Sequence, residues 1–138
     1  MCFFHELGHA LIQTRNLPIA GSEEDAVDRF SAILASSIAG AAKADRKNDL
    51  GEHMITAAML WFRSKDQAKL SRYWDEHPLN EQRYYNLVCI LYGSDPERYS
   101  QYVVLAGLPA QRARSCPKEF MQAQDYWNRV LPSQGDSN

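Results

Sequence analysis

Residues 2–14 read Cys2-Phe3-Phe4-His5-Glu6-Leu7-Gly8-His9-Ala10-Leu11-Ile12-Gln13-Thr14. Apolar side chains at Phe4, Leu7, Leu11 and Ile12 recur with the period of a helix instead of alternating as in a strand. On such a helix His5 and His9, four positions apart, project from one face and can bind a single tetrahedral zinc ion. Glu6 lies beside them. Its carboxylate can take a proton from a zinc-bound water, whose acidity the metal raises, and deliver it to a leaving amine. The His-Glu-x-x-His spacing therefore predicts metal-assisted hydrolysis.

A catalytic zinc needs a third protein ligand and an open fourth position. Asn16-Leu17-Pro18 and Gly21 interrupt the chain, and Ser22 followed by Asp25 reads as an N-cap with an acidic first turn. A second helix is expected from about Glu23 to Ala42. It carries four candidates, Glu23, Glu24, Asp25 and Asp28. Glu24 and Asp28 share a helix face, which favours Glu24 as the ligand and Asp28 as the group that orients a ligand histidine from behind. Glu23 is the next choice, and part of the acidic cluster serves the helix dipole in any case. A di-iron bundle would need a second Glu-x-x-His unit. None of Glu23, Glu24, Glu52, Glu76, Glu81, Glu97 or Glu119 has a histidine three positions later.

Working outward, Leu50 to Phe62 predicts a third helix, with His53 at its surface, and residues 71–78 an ordered loop containing Trp74, Asp75, Glu76 and His77. Asn80 to Tyr92 predicts a fourth helix with Gly93 just past its end, and Pro96 the first turn of the next. After Gly107-Leu108-Pro109, Pro117 is expected to divide the last segment into helices over 110–115 and 118–131. The reading is all-α, a compact multi-helix domain over residues 1–131 followed by a loose tail, 132–138. Trp61, Phe62, Trp74 and Trp127 suit the core. Arg83, Tyr84, Tyr85 and His77 are candidate donors to a developing oxyanion, although a tyrosine on a helix is more often a core residue. With 15 Lys and Arg against 17 Asp and Glu and no long block of either, nucleic acid and anionic membranes are poor partners. The apolar stretches 32–42 and 55–62 are too short to span a bilayer.

His5 to His9, Leu17-Pro18, Gly21, Glu24 to Asp28, Glu81 to Asn86, Cys89, Tyr92 to Pro96 and Cys116 together resemble a bacterial domain-of-unknown-function family of metallopeptidase-like proteins. The His-Glu-x-x-His and Glu-x-x-x-Asp parts are also similar to those of gluzincin peptidases, whose third ligand is a glutamate on the next helix. The resemblance implies Zn2+ held by His5, His9 and Glu24, Asp28 as supporting partner, Glu6 as general base and then acid, and a peptide or protein substrate. It also implies a disulfide between Cys89 and Cys116, with Cys2 left over. Family members carry sequence before the motif, and in zincin-like peptidases that part forms a sheet whose edge strand holds the substrate. The chain is thus expected to hold zincin-like catalytic helices without the upstream sheet. The competing expectation is a truncated, inactive helical module that binds metal or another protein. No export signal precedes His5, while the resemblance implies a periplasmic or secreted protein.

Overall fold

The computed structural model describes residues 2–41, 49–63 and 81–131. Every regular element among them is a helix: α1 (Cys2–Arg15), α2 (Glu23–Ala41), α3 (Leu50–Arg63), α4 (Glu81–Ser94), α5 (Gln101–Leu105) and α6 (Ala110–Val130). The expected loop with Trp74, Asp75, Glu76 and His77, and the tail 132–138, lie outside the described residues.

Helix α2 packs against α1, α3, α4 and α6, and α4 packs against α2, α3 and α6. Their sequences suit a central position. Val27, Phe30, Ala32, Ile33, Ala35 and Ala39 of α2 are buried, as are Tyr84, Leu87, Val88, Ile90 and Leu91 of α4. The alanines let backbones approach, and Ile55, Met54 and Ala58 of α3 fill the remaining side of the core. Phe62 stacks on Tyr84 with ring centroids 4.3 Å apart, and Trp127 lies 4.8 Å from Phe30.

Helix α1 ends where the residues require. Asn16 takes a left-handed φ of 48°, and the Leu17 amide donates back to Ile12 O at 3.1 Å, closing the last turn. The chain then enters α2, which brings its acidic first turn against the histidine face of α1.

Two sequence expectations fail for a shared reason. Helix α4 does not stop before Gly93 but runs through it to Ser94, and α6 is not divided at Pro117 but continues from Ala110 to Val130. A β-carbon on Gly93 would lie 2.2 Å from the Cys116 carbonyl oxygen and 3.0 Å from Pro117 N. Gly93 is therefore a close-approach residue, not a helix stop, and the proline packs against it. Pro117 forfeits the helical bond to Ala113 O, but the close α4–α6 packing and the Cys89–Cys116 disulfide, with Cα atoms 5.0 Å apart, hold the helix through it. Likewise Pro96 begins a run of turns, and the following helix starts only at Gln101.

Asp49, buried at 3% exposure, precedes α3 and accepts from the Glu52 amide at 3.1 Å and the Tyr99 hydroxyl at 2.9 Å, with Arg98 paired to its other oxygen. Burial alone would raise this carboxyl, yet these three donors hold it below its ordinary value.

Candidate metal centre

The site forms where α1 crosses the first two turns of α2. Gly8 makes the approach possible, because a β-carbon there would already stand 3.0 Å from Val27 Cβ and 3.2 Å from Phe30 Cδ1. With the two backbones this close, His5 is buried and His9 half-buried against the acidic turn of α2.

The two rings are oriented from behind. His5 Nδ1 lies 3.0 Å from Asp28 Oδ1, and His9 Nδ1 lies 2.7 Å from Glu23 Oε1. A carboxylate only accepts, so with the ring proton on Nδ1 each neutral imidazole bonds the carboxylate behind it and presents its Nε2 lone pair toward Glu24. Those two Nε2 atoms are 3.2 Å apart. Glu24 stands at the same point, its Oε2 3.3 Å from His5 Nε2 and its Oε1 3.2 Å from His9 Nε2. One ligand-type atom from each of His5, His9 and Glu24 lies within 4.8 Å of the others.

Three electron-rich atoms converging in this way repel one another unless a positive charge sits among them. The donor chemistry, two imidazole nitrogens and a carboxylate oxygen, suits a divalent metal ion. The surrounding charge agrees: among the described residues, Glu23, Glu24 and Asp28 bring three carboxylates to the site and Arg83 one guanidinium, a setting that favours a cation.

Arg83 reaches the site from α4, 55 residues beyond Asp28 in sequence. Its Nε donates to Asp28 Oδ2 at 2.7 Å and a terminal nitrogen to Asp28 Oδ1 at 2.9 Å, while the same nitrogen lies 3.4 Å from Glu24 Oε2. One turn later, Asn86 donates to Asp25 Oδ1 at 3.0 Å and accepts from Arg112 of α6 at 3.1 Å. Sequence reasoning offered Arg83 only as a possible oxyanion donor. The structure puts it behind His5, on Asp28, and beside Glu24, buried at 8% exposure. Nothing local in the Glu81–Asn86 run signals that role, because the pairing depends on how α4 crosses α2.

Glu6 is exposed, and on α1 it projects about 60–100° around the helix from the two histidines, toward solvent at the edge of their face. Of the other candidate donors, Tyr84 is a core residue whose hydroxyl donates to Ala106 O at 2.9 Å, and Tyr85 packs edge-on against it with ring centroids 5.1 Å apart. His77 lies outside the described residues, and His53 is exposed on α3. A separate cleft lined by Ile19, Asp25, Arg29, Tyr126 and Trp127 includes none of His5, His9 or Glu24. Among the described residues, no helix is long and apolar enough to cross a membrane.

No curated protein and no solved structure is significantly similar to the chain. A family match covers residues 1–131, so that the motif on α1, the acidic turn of α2 and the arginine of α4 all fall inside it. The chain belongs to that family, DUF4344, described as "Putative metallopeptidase".

Proposed function

We propose that the chain is a zinc-dependent peptidase in which His5, His9 and Glu24 hold the ion and Glu6 carries the proton. The observation that carries this reading is the meeting of His5 Nε2, His9 Nε2 and the Glu24 carboxylate, with separations of 3.2–3.3 Å. Glu24 turns one carboxylate oxygen toward each ring, Oε2 to His5 and Oε1 to His9, so its carboxylate would complete with the two imidazole nitrogens a donor set of the kind that holds zinc. Family membership supports the reaction class, and a peptidase acts on peptide substrates.

When bound, zinc supplies Lewis acidity, lowering the pKa of a water and drawing electron density from a substrate carbonyl. The remaining work belongs to the chain. Asp28 and Glu23 fix the Nδ1–H tautomer of His5 and His9, so both rings offer Nε2 as a donor. Glu6, on the solvent side of the same helix, accepts the proton of the attacking water and returns it to the leaving amine nitrogen, which completes amide hydrolysis.

The test is metal analysis of the purified protein, together with hydrolysis of an unstructured protein substrate by the wild type and by Glu6→Gln. About one zinc per chain in both, with activity lost by a factor of about 10² or more in the variant, is the expected result. A wild type that retains no zinc, or a Glu6→Gln protein as active as the wild type, would overturn it.

A further inference from the structure

We propose that Arg83 is the positioning residue of the metal centre, setting the orientation of His5 through Asp28 and the reach of Glu24 through its terminal nitrogen. The inference rests on the zinc reading above and assigns a role to a residue outside the ligand set. Three observations carry it. The guanidinium grips Asp28 with two hydrogen bonds, 2.7 and 2.9 Å, which fixes the carboxylate plane as well as its position. Asp28 Oδ1 is shared between that guanidinium and His5 Nδ1 at 3.0 Å, so turning the carboxylate would turn the imidazole. The same terminal nitrogen lies 3.4 Å from Glu24 Oε2, on the carboxylate that faces both histidines.

Two roles can be separated by the sign of one measurement. Were Arg83 only a neutralising charge, removing it would leave the site more negative and tighten its hold on a dication. Were it a positioning residue, the histidine and Glu24 would lose their alignment and the hold would weaken, as it does when partners behind metal ligands are removed. Arg83→Met also leaves the buried Asp28 carboxylate with one cation fewer, which costs stability, so the affinity of each variant is read on protein shown to be folded by circular dichroism.

Zinc affinity measured by competition with a chromogenic chelator tests this on the whole chain, using the wild type, Arg83→Met, Arg83→Lys, Asp28→Asn and the double variant Arg83→Met/Asp28→Asn. Arg83→Met is expected to weaken zinc binding about 10- to 100-fold. Arg83→Lys, which keeps the charge but not the fork, should fall between it and the wild type. The double variant should lose less than the product of the two single losses, because the part of Arg83's effect that runs through Asp28 is already gone in Asp28→Asn. Unchanged or tighter binding by a folded Arg83→Met protein overturns the inference, as does a double variant whose loss is the product of the two single losses. If Arg83→Met does not fold, Arg83→Lys decides alone: a loss of at least about threefold supports positioning, and wild-type affinity overturns it. A wild type that binds zinc no better than His5→Ala/His9→Ala overturns the metal-site reading and this inference with it, whereas tight wild-type binding with unaffected Arg83 variants overturns this inference alone.

Discussion

Gly8 rests directly on Val27: a β-carbon at position 8 would lie 3.0 Å from both Val27 Cβ and Cγ1. That contact sets how near the histidine helix comes to the acidic turn, and hence whether His5 and His9 meet Glu24 at all. Gly8→Val is expected to destabilise the fold by about 1–3 kcal/mol through overpacking. It should weaken zinc binding as well, since α1 must move outward. Thermal unfolding and a chelator competition measure the two effects. A variant of wild-type stability and affinity would show that the helices are not held at this spacing by position 8.

Glu23 and Glu24 are neighbours with different geometry. Glu24 faces both Nε2 atoms at 3.2–3.3 Å, whereas Glu23 faces His9 Nδ1 at 2.7 Å. Glu23→Gln, which alters a partner behind the ligand, is expected to weaken zinc binding about 10- to 100-fold. Glu24→Gln, which removes a donor, should cost more. The reverse order in a competition titration would make Glu23 the ligand.

Much of this arrangement is readable in the chain because its parts are local. The four-residue spacing of His5 and His9, and of Glu24 and Asp28, is a property of one helix each, so periodicity alone puts each pair on a face. The all-α architecture follows from the same periodicity. What periodicity does not contain is how helices cross. Arg83 reaches Asp28 from 55 positions away, and its side chain has no local feature that separates it from a surface arginine. Gly93 and Pro117 mislead for the same reason: each looks like a helix terminator in isolation, and each is instead accommodated by the other across the α4–α6 contact. Glu23 illustrates a finer limit, since only the angle between α1 and α2 decides which of two adjacent carboxylates meets which ring nitrogen.

The bridge between Cys89 and Cys116 spans a sequence separation of 27 and joins α4 to α6, with both cysteines at 0% exposure. Closing a loop of that length restricts the unfolded chain by about 3.5 kcal/mol on a chain-entropy basis. Denaturant unfolding of a Cys89→Ala/Cys116→Ala protein should show a loss of that order. Because the bridge joins α4 to α6 and α1 packs principally on α2, zinc affinity should stay within about twofold of the wild type. Unaltered stability would sink the structural account of α6 running unbroken through Pro117.

Asp49 offers a prediction about acid that is independent of the metal. Its carboxyl is buried, which by itself would raise its pKa, but the Glu52 amide, the Tyr99 hydroxyl and Arg98 together lower it from 3.8. A group whose pKa is lower in the folded state binds its proton more readily when unfolded. Its stabilising contribution is therefore complete above pH 3.8 and drains away as the pH falls through the lower, folded value. Asp49→Asn, which loses the charge-assisted bonds but keeps a helix cap, should cost about 1–2 kcal/mol near neutral pH. That gap between variant and wild type should stay level down to about pH 5 and close below pH 3.8, where the wild-type carboxyl takes up its own proton. Unfolding midpoints of both proteins across this range provide the measurement. A gap that persists undiminished in strong acid would mean that Asp49 acts through shape alone, and that the charge it shares with Arg98 and Tyr99 contributes nothing to holding α3 against the turns that precede α5.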